Sequence, residues 1–384
     1  MNVLWLAPFP HIRFPGTHAA PWLAALAAPL SRLPGVQLSV LNWDWGIEED
    51  VDEYDHEGVH FIFLRAPRTT TDLLTCYQKR IAMMASYLRQ HHHRYDVIHV
   101  HGSELQYQVA ALQLQRPILL SVQGLVSECL KVLPEWFSLQ RVLWTLSSYY
   151  ESRTLPSIRH FSCRTHWDKA HVARLSPQAT IHHNWEMLRP EFFTEPPAAP
   201  VTAERPQVVF MGGIQVLKGF REALQTFDQV RARIPAKLTV VGAATREQVL
   251  EQVQRVGLRH VEAADVECPG LLTAAQLVDV FRNSLCLLHP SYIDNSPNSV
   301  CEAQLAGLPV VATQVGGVSS LISHGTTGLL SELSPQQLSE QVLSLHADPA
   351  LSQRLARNAR AVALERHNPD TILQRTLSIY ESLA

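Results

Sequence analysis

Short runs of continuous hydrophobicity alternate along the chain with longer stretches in which apolar residues recur every three or four positions. NVLWLA (2–7), QLSVLNW (37–43), VHFIFLR (59–65), VIHVH (97–101), PILLSVQ (117–123), IRHFSCR (158–164) and ATIHHN (179–184) read as strands. HAAPWLAALAAPLSRL and DLLTCYQKRIAMMASYLRQHHH read as helices between them. Apolar strands alternating with helices predict a parallel sheet covered on both faces. The Pro-rich stretch RPEFFTEPPAAPVTAERP (189–206) interrupts the pattern and reads as a linker. It restarts with QVVFMGG (207–213), KLTVVGA (237–243), SLCLLHPS (284–291) and PVVAT (309–313). The expected class is therefore α/β, with two domains in tandem and a parallel sheet in each. The last helix, opened by Asn368 and Pro369, puts Leu373, Leu377, Tyr380 and Leu383 on one face. It needs a surface to cover, and is expected to pack back across the first domain. Open parallel sheets bind ligands beyond the carboxyl ends of their strands, so two such domains facing each other would bury a two-part substrate.

Composition narrows this little but usefully. The 384 residues exceed one ordinary core and fit two domains of roughly 150 to 200 residues. A net charge of −3 gives no basic face for nucleic acid. Arginine greatly outnumbers lysine, so a lysine at a motif position carries more weight. The six cysteines are scattered, with no CxxC pair, and read as buried thiols in a reducing compartment. The N-terminus has no basic leader and is broken by prolines, so it reads as a first strand rather than a signal peptide. No run reaches the roughly 18 apolar residues of a membrane span. A cytoplasmic chain is expected.

The stretch HPSYIDNSPNSVCEAQLAGLPVVAT (289–313) is a strand end, a polar loop, a helix and a second strand. Asn295, Ser296 and Asn298 surround the helix start, Pro297 suits its first turn, and Gly307 with Pro309 ends it. Asp294 and Glu302 would lie about 12 Å apart along a helix at 1.5 Å per residue. Hydrolytic carboxylate pairs need roughly 5 to 9.5 Å, which argues against a glycosidase. A carboxylate can instead accept two hydrogen bonds from a vicinal diol, while the helix start attracts an anion. Diol and phosphate together describe a sugar nucleotide; the bland alternative is a capped surface helix. In FMGGIQVLKGF (210–220), Gly212 and Gly213 allow close backbone approach and Lys218 offers charge to a phosphate leaving group. It is not a GxxxxGK[ST] loop, so ATP hydrolysis is not indicated.

Histidines are numerous, but His91, His92 and His93 are consecutive and read as a solvated helix end. His101 ends its strand beside Gly102 and is a candidate cleft residue, with a buried structural histidine as the alternative. The helix with Lys79 and Arg80, flanked by Met83, Met84 and Tyr87, raises a peripheral membrane or lipid contact. Two cations are few, and a core-facing helix is preferred.

Asp294–x7–Glu302, GGIQVLKG (212–219), Gly316-Gly317, DVIHVHG (96–102), CRTHWD (163–168) and Gly16 together resemble the retaining glycosyltransferases of family 4. These enzymes have the GT-B fold, two facing Rossmann-like domains. Asp294 stands for the first Glu of the family's E-x7-E, and Gly213 stands where the G-R-L-x-x-x-K-G loop carries arginine. The resemblance implies an acceptor-binding domain over 1–193, completed by the helix 369–384, and a nucleotide-sugar-binding domain over 206–366. By position, Glu302 would hold the nucleotide ribose, and Asp294 a donor-sugar hydroxyl. Asn298 and Ser299 would meet the diphosphate beside Lys218, and Val266 to Pro269 would line the base. The candidate catalytic residues are Lys218, Asp294, Gln123 and His101. The candidate donor-binding residues are Gly16, Gly212, Gly213, Val266, Pro269, Asn295, Ser296, Asn298, Ser299 and Glu302. The family needs no bound metal and no cofactor, the nucleotide sugar being a substrate, with UDP the commonest carrier. The partners implied are that donor and a glycan or lipid-linked acceptor, in surface polysaccharide or glycolipid synthesis at the inner face of the plasma membrane.

Two departures bear on activity. Gly213 removes a cation that would offset the leaving diphosphate, and a deficit of about 2 kcal/mol slows a reaction more than tenfold; Arg164 is the candidate substitute. Gln123 stands where many relatives carry histidine; it can hydrogen-bond a sugar hydroxyl but cannot shuttle a proton near neutral pH. A sugar-nucleotide epimerase or phosphorylase of the same fold, and a non-catalytic binding partner of another transferase, are the competing readings.

Overall fold

The computed structural model describes residues 1–13, 20–114, 116–195 and 204–384. It divides into two compact units. Unit 1 holds Met1–Lys131, Glu135–Met187 and His367–Ala384; unit 2 holds Val132–Pro134 and Leu188–Arg366.

Among the described residues, unit 1 has one eight-stranded sheet. Its strands are β1 (Asn2–Leu6), β2 (Gln37–Asp44), β3 (Val51–His56), β4 (Val59–Arg65), β5 (Val97–His101), β6 (Ile118–Ser121), β7 (His160–Cys163) and β8 (Thr180–His183), ordered β3-β4-β2-β1-β5-β6-β7-β8. Every pairing is parallel except β3 with β4. Central β1 shows why its sequence is apolar throughout. Leu4 and Leu6 enter the core on one face, Val3 and Trp5 the core on the other. The antiparallel edge strand β3, VDEYDH, lies outside the expected set, since its charged side chains suit an exposed edge and hide it from a hydrophobicity scan.

The helical stretch expected from Asp72 onward is broken. Helices Thr69–Leu74 and Gln78–His91 are separated by Thr75, Cys76 and Tyr77, the last two with φ angles of 49° and 63°. The break accompanies Arg80, which is buried, bonds Asp72 at 2.8 Å and Gln106 at 2.8 Å, and stacks on Trp43 and Tyr77. Arg80 is therefore unavailable to a membrane surface, which leaves Lys79 as the exposed cation of the pair. No helix among the described residues is long and apolar enough to cross a membrane.

The terminal helix Pro369–Leu383 belongs to unit 1. Asn368 caps it by accepting from the Thr371 N–H at 2.9 Å. Its buried stripe is Ile372, Thr376, Ile379, Tyr380 and Leu383, rotated from the expected Leu373 and Leu377, which sit half-buried at its margin. The reason is polar: Asn184 donates to Thr376 Oγ1 and the Ile372 carbonyl, and Trp5 donates to the Tyr380 hydroxyl at 2.8 Å.

Unit 2 has a six-stranded parallel sheet among the described residues. It comprises β9 (Gln207–Met211), β10 (Lys237–Val241), β11 (Val266–Gly270), β12 (Cys286–His289), β13 (Val310–Thr313) and β14 (Leu329–Ser331), ordered β11-β10-β9-β12-β13-β14. From β9 the chain winds outward through β10 and β11, then returns to lay β12, β13 and β14 on the other side. The order reverses between β9 and β12, which is where such sheets bind ligands. β11 and β14 lie outside the expected set; the first carries Pro269 and Gly270, and the second has three residues.

Candidate active site

In unit 2 the loops leaving β9 and β12 are packed backbone to backbone. A side chain at Gly219, with φ +75°, would overlap the Pro290 carbonyl. The Tyr292 N–H donates to the Leu217 carbonyl at 2.9 Å, and Ser291 Oγ donates to the same oxygen at 2.9 Å. This stapling brings Lys218 Nζ to 2.6 Å from Asp294 Oδ2, with His289 Nε2 3.3 Å from that oxygen. The loop leaving β13 closes the group from the other side. Gly317 N donates to the Asp294 carbonyl at 2.8 Å, and Gly316, φ +52°, can carry no side chain against that carbonyl.

Burial alone would raise the Asp294 carboxyl, but Lys218 and His289 outweigh it and hold Asp294 well below the usual carboxylate range. Asp294 is therefore an anion that orients the lysine. The helix Asn298–Leu305 starts just beyond, after Pro297, with no side-chain cap. Its first N–H groups, at Asn298 and Ser299, suit an anion. Both residues are half-exposed, as is Ser296, whereas Asn295 is buried. Glu302 lies on the same helix, its side chain 4% exposed, and accepts two hydrogen bonds from Arg189. Burial pushes the Glu302 carboxyl up to about 7 against the pull of Arg189.

The glycine loop is as cramped as its residues imply. A Cβ at Gly212 would stand 2.7 Å from Lys218 Cβ, and one at Gly213, φ +55°, 3.0 Å from the Ala243 backbone. A side chain at 213 would carry the strain of a positive φ and crowd the Ala243 backbone, so glycine suits this loop locally. Val266 requires a correction. Its side chain is fully buried in the unit 2 core, so only its backbone, whose carbonyl takes Arg246, and the exposed Pro269 remain to face a base. Gly16 lies outside the described residues.

Unit 1 gathers a second polar group at the carboxyl ends of β5, β6 and β7. His101 is buried, its ring 3.9 Å from His99 and 4.6 Å from Trp5, and its Nε2 has no protein partner. Burial, with His99 and Arg164 nearby, holds its pKa well below that of a free histidine. Gln123 Oε1 accepts from Arg164 at 3.3 Å. Arg164 is ion-paired with Glu186 and bonded to the Val122 carbonyl, so it is not a spare cation. His101, Gln123, Arg164 and Glu186 line one cavity of about 40 Å³, room for a few waters. Glu104, in the loop after β5, accepts from Gly124 N at 2.8 Å, and burial raises its carboxyl to about 7.

Sequence reasoning missed Arg189, His289, Glu186 and Glu104. Arg189 was absorbed into a linker and His289 into a strand. The signal for Glu104 was its place just past the HG that ends β5. Among the described residues, no cluster of three or more His, Cys, Asp or Glu side chains is arranged to hold a metal ion.

Comparison with known proteins assigns the architecture. Over its full length the chain superposes on sucrose-phosphate synthase of Thermosynechococcus elongatus, with a TM-score of 0.76, 18% identity and 98% of that chain covered. The fold is GT-B. An Anabaena protein, HepE, in complex with UDP-glucose matches with a TM-score of 0.67 and 18% identity, 100% of each chain being covered. Residues 205–348, within unit 2, match the family model "Glycosyl transferases group 1". A D-inositol 3-phosphate glycosyltransferase of Pseudarthrobacter chlorophenolicus is 33% identical over 126 residues, which is 32% of this chain and 30% of that one. The chain spans less than half the length of the curated relatives it matches.

Proposed function

We propose that the protein is a retaining, metal-independent glycosyltransferase of family 4 that moves a sugar from a nucleotide-sugar donor to a glycan or lipid-linked acceptor. The observation that carries this reading is the Lys218–Asp294 pair at the switch point of unit 2, beside an uncapped helix start and the carboxylate of Glu302. The glycosyltransferase relatives and the match over residues 205–348 support it. A UDP-sugar is the preferred donor, in keeping with the HepE complex.

In this reading the diphosphate lies against Lys218 and the amides at Asn298 and Ser299. The bond from the anomeric carbon to the diphosphate oxygen breaks, the electron pair leaving with the diphosphate, whose growing charge Lys218 and the helix start offset. Asp294 orients Lys218 and accepts from a donor-sugar hydroxyl. The acceptor oxygen bonds to the anomeric carbon on the face the diphosphate left, and its proton passes to a leaving-group oxygen. Unit 1 supplies acceptor contacts, with His101 and Gln123 as candidates. The product belongs to surface polysaccharide or glycolipid synthesis, made at the cytoplasmic face of the membrane.

Calorimetric titration of UDP, GDP and ADP into the wild type and Glu302→Ala tests the donor site. Micromolar binding of one nucleotide, lost in the variant, supports it; no binding of any sinks it. A second reading, a nucleotide-sugar-binding partner without turnover, is favoured by the backbone at Gly213 and by the engagement of Arg164 with Glu186. Binding with neither donor hydrolysis nor transfer would select it.

A further inference from the structure

The segment after β8 carries a charge that the donor-site reading leaves unused. Arg189 places Nε 3.0 Å and a terminal nitrogen 2.8 Å from one oxygen of Glu302, Oε1. Among the described residues no other side chain bonds that carboxylate, so Oε2 takes no protein hydrogen bond. An arginine fork commonly spans both oxygens of a carboxylate; here it grips Oε1 alone.

The arginine is itself held. Its guanidinium lies over the Phe192 ring, 4.9 Å from the centroid, and Phe192 is fully buried with its ring 5.9 Å from Phe281. Just beyond, Arg282 donates to Thr194 Oγ1 at 2.9 Å and Arg360 to the Phe193 carbonyl at 3.2 Å. Arg189 thus sits on an anchored segment of unit 2 rather than on a free linker.

We propose that Arg189 is a positioning residue that aims Glu302 Oε2 at the vicinal hydroxyls of a nucleoside diphosphate and so selects ribonucleotides over 2′-deoxyribonucleotides. This rests on the reading of Glu302 as the ribose-contacting carboxylate. The physical need is clear. A carboxyl this buried, deprived of its cation, tends to protonate, and the protonated form gives up acceptor capacity. It also loses the contact that fixes its rotamer. Arg189 favours the ionised form and fixes its orientation, so that the carboxylate can accept from the diol.

Titration of UDP, GDP and ADP, each beside its 2′-deoxy counterpart, tests the proposal on the wild type, Glu302→Gln, Arg189→Gln and Arg189→Lys. The tightest-binding nucleotide should beat its 2′-deoxy form by about tenfold to a hundredfold in the wild type. Arg189→Gln should cut that preference to within about threefold while leaving 2′-deoxy binding nearly unchanged, and Arg189→Lys should restore part of it. Arg189→Gln retaining the full preference overturns the proposal, provided Glu302→Gln abolishes it. Equal loss of both nucleotides in Arg189→Gln also overturns it, since that marks a structural residue. If the wild type binds no nucleotide, or Glu302→Gln keeps the preference, the ribose reading of Glu302 itself falls.

Discussion

Lys218 and Asp294 are 76 residues apart in sequence and 2.6 Å apart in space, joined because β9 and β12 are neighbours in the sheet. The pair fixes Lys218, the cation of the β9 loop that the proposed function sets against the diphosphate. Lys218→Ala should lower turnover of the donor by about 10²-fold, the scale of losing one preorganised group that stabilises developing charge. Asp294 then loses its partner, and its depressed carboxyl rises. A depressed carboxyl adds stability above its unfolded value, near 3.8, that disappears as pH falls through the folded value. Urea unfolding of the wild type should therefore show an acid-side loss of stability that is shallower in Lys218→Ala.

Glu302 behaves in the opposite sense. Its folded pKa, about 7, lies above the unfolded 4.5, so its stability contribution is full below 4.5 and is lost as pH rises through 7. The ionised form is the one that accepts from a diol, so binding and stability should oppose each other. Nucleotide affinity should rise more steeply between pH 6 and 8 in the wild type than in Glu302→Gln, where only the ionisation of the nucleotide's own phosphate remains. Calorimetry across that range checks it; the same pH dependence in wild type and variant would contradict the proposed role.

Most of this site was legible in the sequence because its chemistry is local. The loop 289–313 shows its carboxylates, small polar residues and helix start within 25 residues of hydrophobic pattern. The glycines at 212, 213 and 316 were visible as glycines, and the structure supplies the reason in carbonyls they must approach. What was not legible is pairing across distance. Arg189 reaches Glu302 over 113 residues and Arg164 reaches Glu186 through adjacent strand ends, and no periodicity encodes either contact. The strands missed were those where edge position or brevity overrides apolar patterning: charged β3, proline-bearing β11 and three-residue β14.

Gly219 and Gly257 separate backbone strain from crowding. Their φ angles are +75° and +72°, but a Cβ at Gly219 would overlap the Pro290 carbonyl while Gly257 has nothing within 4 Å. Gly257→Ala should cost about 1 kcal/mol, the left-handed penalty alone. Gly219→Ala should cost more, about 3 kcal/mol, by forcing the β9 and β12 loops apart, and should weaken nucleotide binding as well. Paired denaturant unfolding and titration check both; equal costs would mean that the two loops are not rigidly stapled.

Tyr380 ties the terminal helix to the centre of unit 1 through a directed chain. The Trp5 indole N–H donates to the Tyr380 hydroxyl at 2.8 Å, which leaves that hydroxyl to donate to His99 Nδ1 at 2.6 Å. His99 Nε2 then carries the proton and donates to Ser121 Oγ at 2.8 Å. Tyr380→Phe removes the middle link, strands a buried donor and a buried acceptor, and should destabilise the protein by about 2–3 kcal/mol. His99 is held neutral by burial, its pKa lowered to about 3. A histidine depressed on folding adds stability above pH 6.5 that is lost as pH falls toward 3, because the unfolded chain takes up the proton first. Replacing Tyr380 by phenylalanine leaves His99 Nδ1 without its donor, so the histidine can switch tautomer or admit water. Thermal unfolding between pH 7.5 and 5 should then show the variant less stable throughout, with a weaker dependence on pH than the wild type. Identical slopes would mean that Tyr380 serves only as packing and leaves the state of His99 untouched.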